Sequence, residues 1–411
     1  MKEYKVTSGD LMFSDRFPMG GSVTMRDEVD RKTLEKAVNI AAGRLPFMAT
    51  ELVSHDAGVY LRENGKPFVV TEGDTPLPLG SPEANGHEFS YSCQGNRIYF
   101  LYNHMLCDGH GYAMVNDTVV RSYCRLRYGV RLEGGLVSMN EAPTGEEYAD
   151  PYAYAQMPDP PIPHFEIPTA FMPPEEDMRR DGSALIRRIR VPKEDVFCLL
   201  RTLEGSPAAL AALLLCRAFD AVYPEHDETI LATTAVDTRA ALGCRKTVQN
   251  CLVEAVFVYS DKVKKMSLDR QMTCFRGMLL RQTDPDYLRQ QMAEQGAYYA
   301  YISQLRRANE PVPSVIAQPR PLFVTYVGNV GLGELDEYRK ELTMNGTSTG
   351  AVTLGMTEKS GVFHLDLMTT LKSEQVIEAF LRQLEKYDIP YKVAKTGKID
   401  IAAFPMPEQD G

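Results

Sequence analysis

Nine of the chain's 26 prolines stand between Pro143 and Pro174, at positions 143, 151, 158, 160, 161, 163, 168, 173 and 174. Proline has no amide hydrogen and a fixed φ, so neither a helix interior nor a central strand can cross such a stretch. A chain of 411 residues is therefore divided. Folding units usually hold about 100–200 residues, which predicts a first domain over 1–165 and a second over 166–411, joined by a connector at about 143–174. The connector is not rich in glycine and serine as a flexible tether would be, so it is expected to be semi-rigid or docked on the surface.

Each side of the connector mixes strands and helices. On the first side, Leu34, Ala37, Val38, Ala41 and Leu45 recur at helical spacing until Pro46 ends the run. The stretch RIYFLYN, residues 97–103, has the aromatic and β-branched content of a strand. A helix is expected from about Gly111 to Tyr128, with Val115, Val119, Tyr123 and Leu126 on one side and Gly129 just past its end. On the second side, Ser206 and Pro207 open a helix that is apolar nearly all round. Residues 228–239, 251–260, 321–331 and 361–371 read as strands, and SEQVIEAFLRQLEKY closes as an amphipathic helix. The class is α/β.

Composition excludes several functions. The formal charge is −10 with a pI near 5.4, whereas a nucleic-acid surface needs a basic face, so no nucleic-acid partner is expected. The longest apolar run, residues 208–216, has nine residues, and a span needs about 20, so no membrane crossing is expected. The eight cysteines form no C-x-x-C pair, and the first ten residues hold no apolar leader. Together these predict a reduced, cytoplasmic protein.

Chemistry concentrates in YFLYNHMLCDGHGY, residues 99–112. Of the seven histidines only His104 has an aspartate four residues later, and a glycine follows that. The group lies after a strand and before a helix. A histidine there can act as a proton acceptor near neutral pH. Two bland or rival readings stand beside it. His104, Asp108 and His110 could bind a metal, although no fourth ligand is evident. Cys107 could be a nucleophile, but a free cysteine is more often a small buried hydrophobe. Arg245 and Lys246 in GCRKT could meet an anionic coenzyme tail or form an ordinary solvated loop.

NHMLCDGHG resembles the H-x-x-x-D-G active-site motif of the chloramphenicol acetyltransferase-like superfamily. That group includes nonribosomal peptide condensation domains, alcohol acetyltransferases and polyketide-associated acyltransferases. DRKTLEKAVNIAAGRLPFMATEL resembles the group's early helix ending in an R-x-P turn. TTAVDTRAAL resembles the strand that delivers an arginine toward the motif, and TYVGNVG the late strand ending in an Asn-x-Gly turn. The resemblance runs over residues 10 to 385. Asn103 stands where condensation domains have a second histidine, Leu45 where many members have histidine, and the chain has no tryptophan. These departures favour a stand-alone acyltransferase.

The resemblance implies two similar domains in a V with a channel between them. It implies acyl transfer from a coenzyme A or carrier-protein thioester to the hydroxyl or amine of a small molecule, with His104 as general base. Asp108 is then structural, with Arg239 as its partner and Arg16 as the second choice. Gly109 would leave room for substrate. Asn329, Thr325, Asn103 and the turn at Gly328 and Gly331 are candidates for contacting substrate or stabilising the oxyanion. No metal and no tightly bound cofactor is implied. The alternatives are a stand-alone condensation enzyme working with an acyl carrier protein, or a non-catalytic relative that binds.

Overall fold

In the strand Val362–Thr369, Phe363, Leu365 and Leu367 alternate with His364, Asp366 and Met368. A period of two sends the first set to one face and the second set to the other. In the computed structural model the apolar set joins a helix-covered core, and the second set faces a channel. The structure describes residues 2–7, 18–55, 58–104, 106–131, 135–308, 310–311, 320–329, 333–345 and 350–400.

The strands are β1 Glu3–Lys5, β2 Pro18–Met25, β3 Thr50–His55, β4 Gly58–Glu63, β5 Val70–Glu72, β6 Phe89–Gln94, β7 Arg97–Asn103, β8 Ser183–Pro192, β9 Ile230–Asp237, β10 Leu252–Tyr259, β11 Leu322–Asn329, β12 Arg339–Asn345, β13 Val352–Lys359, β14 Val362–Thr369 and β15 Lys392–Asp400. The helices are α1 Arg31–Arg44, α2 Gly109–Tyr128, α3 Lys193–Leu203, α4 Pro207–Val222, α5 Arg239–Leu242, α6 Asp261–Lys264, α7 Leu268–Gln282, α8 Pro285–Arg307 and α9 Gln375–Lys386.

Three sheets result. The first lobe holds a five-stranded sheet, β12-β2-β7-β6-β5, and a three-stranded one, β1-β4-β3. Leu34 and Val38 of α1 and Val115 and Val119 of α2 pack with Tyr91 and Phe100 to form its core. The second lobe is built on seven strands in the order β10-β9-β11-β13-β14-β8-β15. On one face Leu210, Leu214 and Phe219 of α4 pack with Phe275, Phe380, Val324, Leu354 and Leu365. Burial on several sides explains why α4 carries almost no polar residue. Truncating a leucine such as Leu214 to alanine there would cost about 2–5 kcal/mol.

One strand crosses between the lobes. β12 comes from the second half of the chain yet pairs antiparallel with β2, with Thr343 opposite Ser22. A Cβ on Gly21 would lie 2.0 Å from the Thr343 carbonyl oxygen, so only glycine permits this approach. A cut near residue 165 therefore divides this five-stranded sheet, leaving β12 on the far side of the cut.

The proline-rich stretch carries only short turns, Gly145–Tyr148, Pro151–Tyr154 and Glu175–Asp177, and one isolated bridge, Ala170 to Thr229. It is docked. The Ile162 amide donates to Gln290 Oε1 at 2.7 Å and the Phe165 amide to the Tyr287 hydroxyl at 3.1 Å, both on α8. Two other expectations shift. α2 begins at Gly109, because the Asp108 side chain caps it by accepting from the Gly111 amide. Leu126 is 43% exposed and lies outside the core. Among the described residues no single helix is long and apolar enough to cross a membrane.

Candidate active site between the lobes

β7 ends at Asn103, and a turn carries His104 to the start of α2. The turn closes through the Leu106 amide, which donates to the Asn103 carbonyl at 3.1 Å. The second lobe holds it from outside: the Asn250 amide donates to the Leu106 carbonyl at 3.2 Å, and Asn250 Nδ2 lies 3.4 Å from the His104 carbonyl.

Asp108, wholly buried, is the anchor of this region. Arg239 Nη1 donates to its Oδ2 at 2.8 Å and Arg239 Nη2 to its Oδ1 at 2.9 Å. The amides of Gly111 and Cys251 donate to the same carboxylate at 2.8 and 2.9 Å. Burial pushes this carboxyl up, but the charge and hydrogen bonds of Arg239, with those two amides, outweigh it and hold it below the ordinary aspartate range. Arg239 also donates to the carbonyls of Thr247 and Gln249, at 2.9 and 2.8 Å, and its Nη1 lies 3.2 Å from Asp237 Oδ1. No group of the pair is left unsatisfied, which is the condition for a buried ion pair to persist.

The loop between α5 and β10 is clasped from the other side by the connector. The Val248 amide donates to the Glu147 carbonyl at 3.1 Å, and Thr247 Oγ1 to the Ala149 carbonyl at 2.7 Å. Glu147 in turn accepts two hydrogen bonds, of 2.9 and 2.8 Å, from Arg44 at the end of α1. Arg44 is the arginine of the R-x-P turn noted in the sequence; nothing in the residue spacing pointed to Glu147 or Asn250.

Between the lobes lies a cavity of about 280 Å³. Met19, Tyr102, His104 and Gly109 line it from the first lobe, and Thr325 and Val327 of β11 are among those lining it from the second. β11 carries a bulge between Tyr326 and Gly328, where Val327 has no partner on β13 and Gly328 takes φ +84°. Val327 Cγ2 lies 3.8 Å from where a Cβ on Gly109 would stand, an ordinary contact. The tight position is Gly111, whose Cβ would meet the Val248 carbonyl oxygen at 2.0 Å. The motif's second glycine, not its first, is the one required by close packing.

The His104 ring sits in this cavity. Burial lowers its pKa below the ordinary histidine value; a hydrogen bond to its own backbone carbonyl and the charge of Asp108 oppose the shift without reversing it. Nδ1 is the ring nitrogen that can reach a residue's own carbonyl. Asp108 spends its oxygens on Arg239 and two amides, so it supports the turn rather than the imidazole.

The other candidates fall in different places. Asn103 is fully buried and donates from Nδ2 to Glu88 Oε2 at 3.2 Å, in a strand whose neighbouring residue Tyr102 lines the cavity; Asn103 does not line it. Asn329 ends β11 opposite Glu358, and its side chain, like Gly331 and Arg16, lies outside the described residues. His110 is exposed, with Nδ1 4.0 Å from Asp237 Oδ2. Among the described residues no group of three or more His, Cys, Asp and Glu could hold a metal ion. The Cys107 thiol is buried, and burial, with the charge of Asp108, pushes its pKa far up, against the conditions a nucleophile needs. Arg245 and Lys246 are exposed and do not line the cavity.

No family model matches the chain, and no curated protein matches it in sequence. Solved structures do match. Polyketide synthase associated protein 5 from Mycobacterium tuberculosis is 14% identical, with 93% of this chain and 96% of that one covered and a TM-score of 0.62. TRI101 of F. sporotrichioides, complexed with coenzyme A and T-2, is 12% identical over 95% of this chain and 99% of that one, with a TM-score of 0.64. The condensation domain from the Monacolin K polyketide synthase is 12% identical over 94% and 96%, with a TM-score of 0.59. The chain thus has the chloramphenicol acetyltransferase-like α/β fold, two lobes in a V with a channel between them.

Proposed function

We propose that the chain is an acyltransferase that uses His104 as its general base. The observation that carries this reading is a neutral imidazole inside a channel, mounted on a turn that a buried Arg239–Asp108 pair holds between the lobes. The donor would be an acyl thioester of coenzyme A or of a carrier protein, and the structural likeness to a protein complexed with coenzyme A supports the first. The acceptor would be the hydroxyl or amine of a small molecule.

The reaction is a direct transfer between the two substrates. Nε2 of His104 takes the acceptor's proton as its oxygen or nitrogen attacks the thioester carbonyl. The tetrahedral adduct collapses, the carbon–sulfur bond breaks, and the imidazolium returns the proton to the departing thiolate. The products are the ester or amide and a free thiol. No covalent acyl-enzyme is required. Thr325, facing the cavity on β11, is our candidate donor to the oxyanion.

The test is thioester consumption, read by mass spectrometry against pools of alcohols and amines. His104→Ala should slow turnover by about a hundredfold or more, the usual contribution of a general base. A variant with the full wild-type rate would refute the role.

A further inference from the structure

The channel face of the seven-stranded sheet is not uniform. Beside the first lobe's His104 and Gly109 it presents Thr325 and Val327. On β14 and β8 it presents four charged or titratable groups in register, His364 opposite Arg190 and Asp366 opposite Arg188. Glu341, on the crossing strand β12, approaches from the first lobe to 3.8 Å from Arg190 Nη2. Asp366 Oδ2 lies 3.3 Å from Arg188 Nε. Nothing in the acyl-transfer step uses these groups.

Distance and passage connect the two ends. From β11 to β8 are three strand steps, through β13 and β14, or about 14 Å at about 4.8 Å each. On the intervening strand, Gly355 pairs with both Thr325 and Asp366. It has no side chain, and a Cβ there would reach Asp366 Cβ only at 3.9 Å and Thr325 Cγ2 only at 4.0 Å. A trough therefore runs from the reacting end to the charged end.

The charges are balanced. A carboxylate on a ligand would meet Asp366 and Glu341 wherever it met Arg188 and Arg190, and an ammonium would face the reverse conflict, with Lys395 also acting near Asp366. A neutral group with several hydroxyls escapes both: it accepts from the guanidiniums and donates to the carboxylates. The 3.8 Å between Arg190 and Glu341 is too long for a direct hydrogen bond, so each group keeps capacity for a hydroxyl that approaches from the channel. Thr353 Oγ1, buried on the same wall, has no hydrogen-bond partner. Burial, opposed by Arg188 and reinforced by Glu341, pushes the Asp366 carboxyl up to about 6.

We infer that Arg188, Arg190, Glu341 and Asp366 form a recognition site for an uncharged, multiply hydroxylated head group of the acceptor, about 14 Å along the channel from the acylated position. This rests on the acyltransferase reading for its orientation, not for the site itself.

The test uses four alcohols with the same spacer of about 14 Å, ending in a glucosyl group, a carboxylate, an ammonium or a methyl. Calorimetric titration onto the full chain needs no acyl donor. The glucosyl probe should bind at least about tenfold tighter than the other three, one well-made polar contact being worth that much. Arg190→Gln, on a half-exposed side chain, and Asp366→Asn should each remove most of that preference while binding of the methyl-ended alcohol stays the same. Equal or tighter binding of a charged probe, a preference that survives both substitutions, or no binding of any probe would overturn the site. In the kinetic arm, with acyl-coenzyme A, both variants should raise KM for the glucosyl alcohol and leave kcat unchanged. Tight glucosyl binding without acylation would keep the site and remove the acyltransferase reading.

Discussion

Arg239 and Asp108, 131 positions apart, meet in two parallel hydrogen bonds of 2.8 and 2.9 Å at the junction of the lobes. The carboxylate caps the helix that follows the motif, and the guanidinium ties the loop that holds the His104 turn. One pair thus fixes a helix start, a loop and the placement of the imidazole.

Breaking one half of that pair leaves a buried charge without compensation. Asp108→Asn and Arg239→Ala should each destabilise the fold by about 3–5 kcal/mol, visible as a lower Tm. The folded Asp108 carboxyl lies below its ordinary value of 3.8, so its contribution is present above that pH and fades as pH falls through the folded pKa. The gap between wild type and Asp108→Asn should accordingly narrow on acidification. An unchanged Tm for Asp108→Asn at neutral pH would contradict the anchoring role.

The two glycines of the motif should behave differently. Gly111→Ala drives a methyl into the Val248 carbonyl, and overpacking of this kind costs about 1–3 kcal/mol or more. Gly109→Ala meets only Val327 at an ordinary distance, so the protein should fold normally with a narrower passage beside His104. Thermal melts of the two variants decide it; equal losses would show that the loop can shift away.

The pH profile follows from the environment of His104. Burial lowers the pKa of its imidazolium, so the base form is already dominant at neutral pH. The rate constant kcat/KM should rise with pH through a midpoint below 6.5 and stay flat above it. A midpoint above 6.5 would mean that a charged partner, rather than burial, sets the histidine.

Cys107→Ala removes the one thiol inside the motif. Acyl transfer should continue at close to the wild-type rate, with a modest loss of stability from the small cavity left behind. Loss of activity in a folded Cys107→Ala variant would revive the thiol as a participant.

Much of this was legible along the chain. Periodicity located α1 and α4 and the strands β9, β10, β11 and β14, because burial on one face leaves a period that needs no knowledge of what covers it; β13 was not read from the sequence. Ser206 marked the start of α4 for an equally local reason: an N-cap accepts from an amide three residues away. The proline-rich connector was legible as a break, since proline forbids regular structure wherever it stands.

Other features depended on contacts that no local pattern encodes. β12, RKELTMN, lacks a strand's composition, and its place in the first lobe's sheet comes from the close approach of Gly21 to Thr343. Gly109 drew attention by its place next to Asp108, whereas the demand for a glycine came from the Val248 carbonyl, 137 residues from Gly111 in the chain. His364 and Asp366 stood in plain view as the polar half of an alternating strand, yet alternation alone cannot say whether such a face meets water or a channel. Propensity, periodicity and proline chemistry act over a few residues, so they reach the mixture of strands and helices, the irregular proline-rich stretch and the histidine that begins the motif. The resemblance already named Arg239 as the partner of Asp108, but which glycine is irreplaceable and which charged side chains face the channel depend on surfaces brought together from more than a hundred residues away.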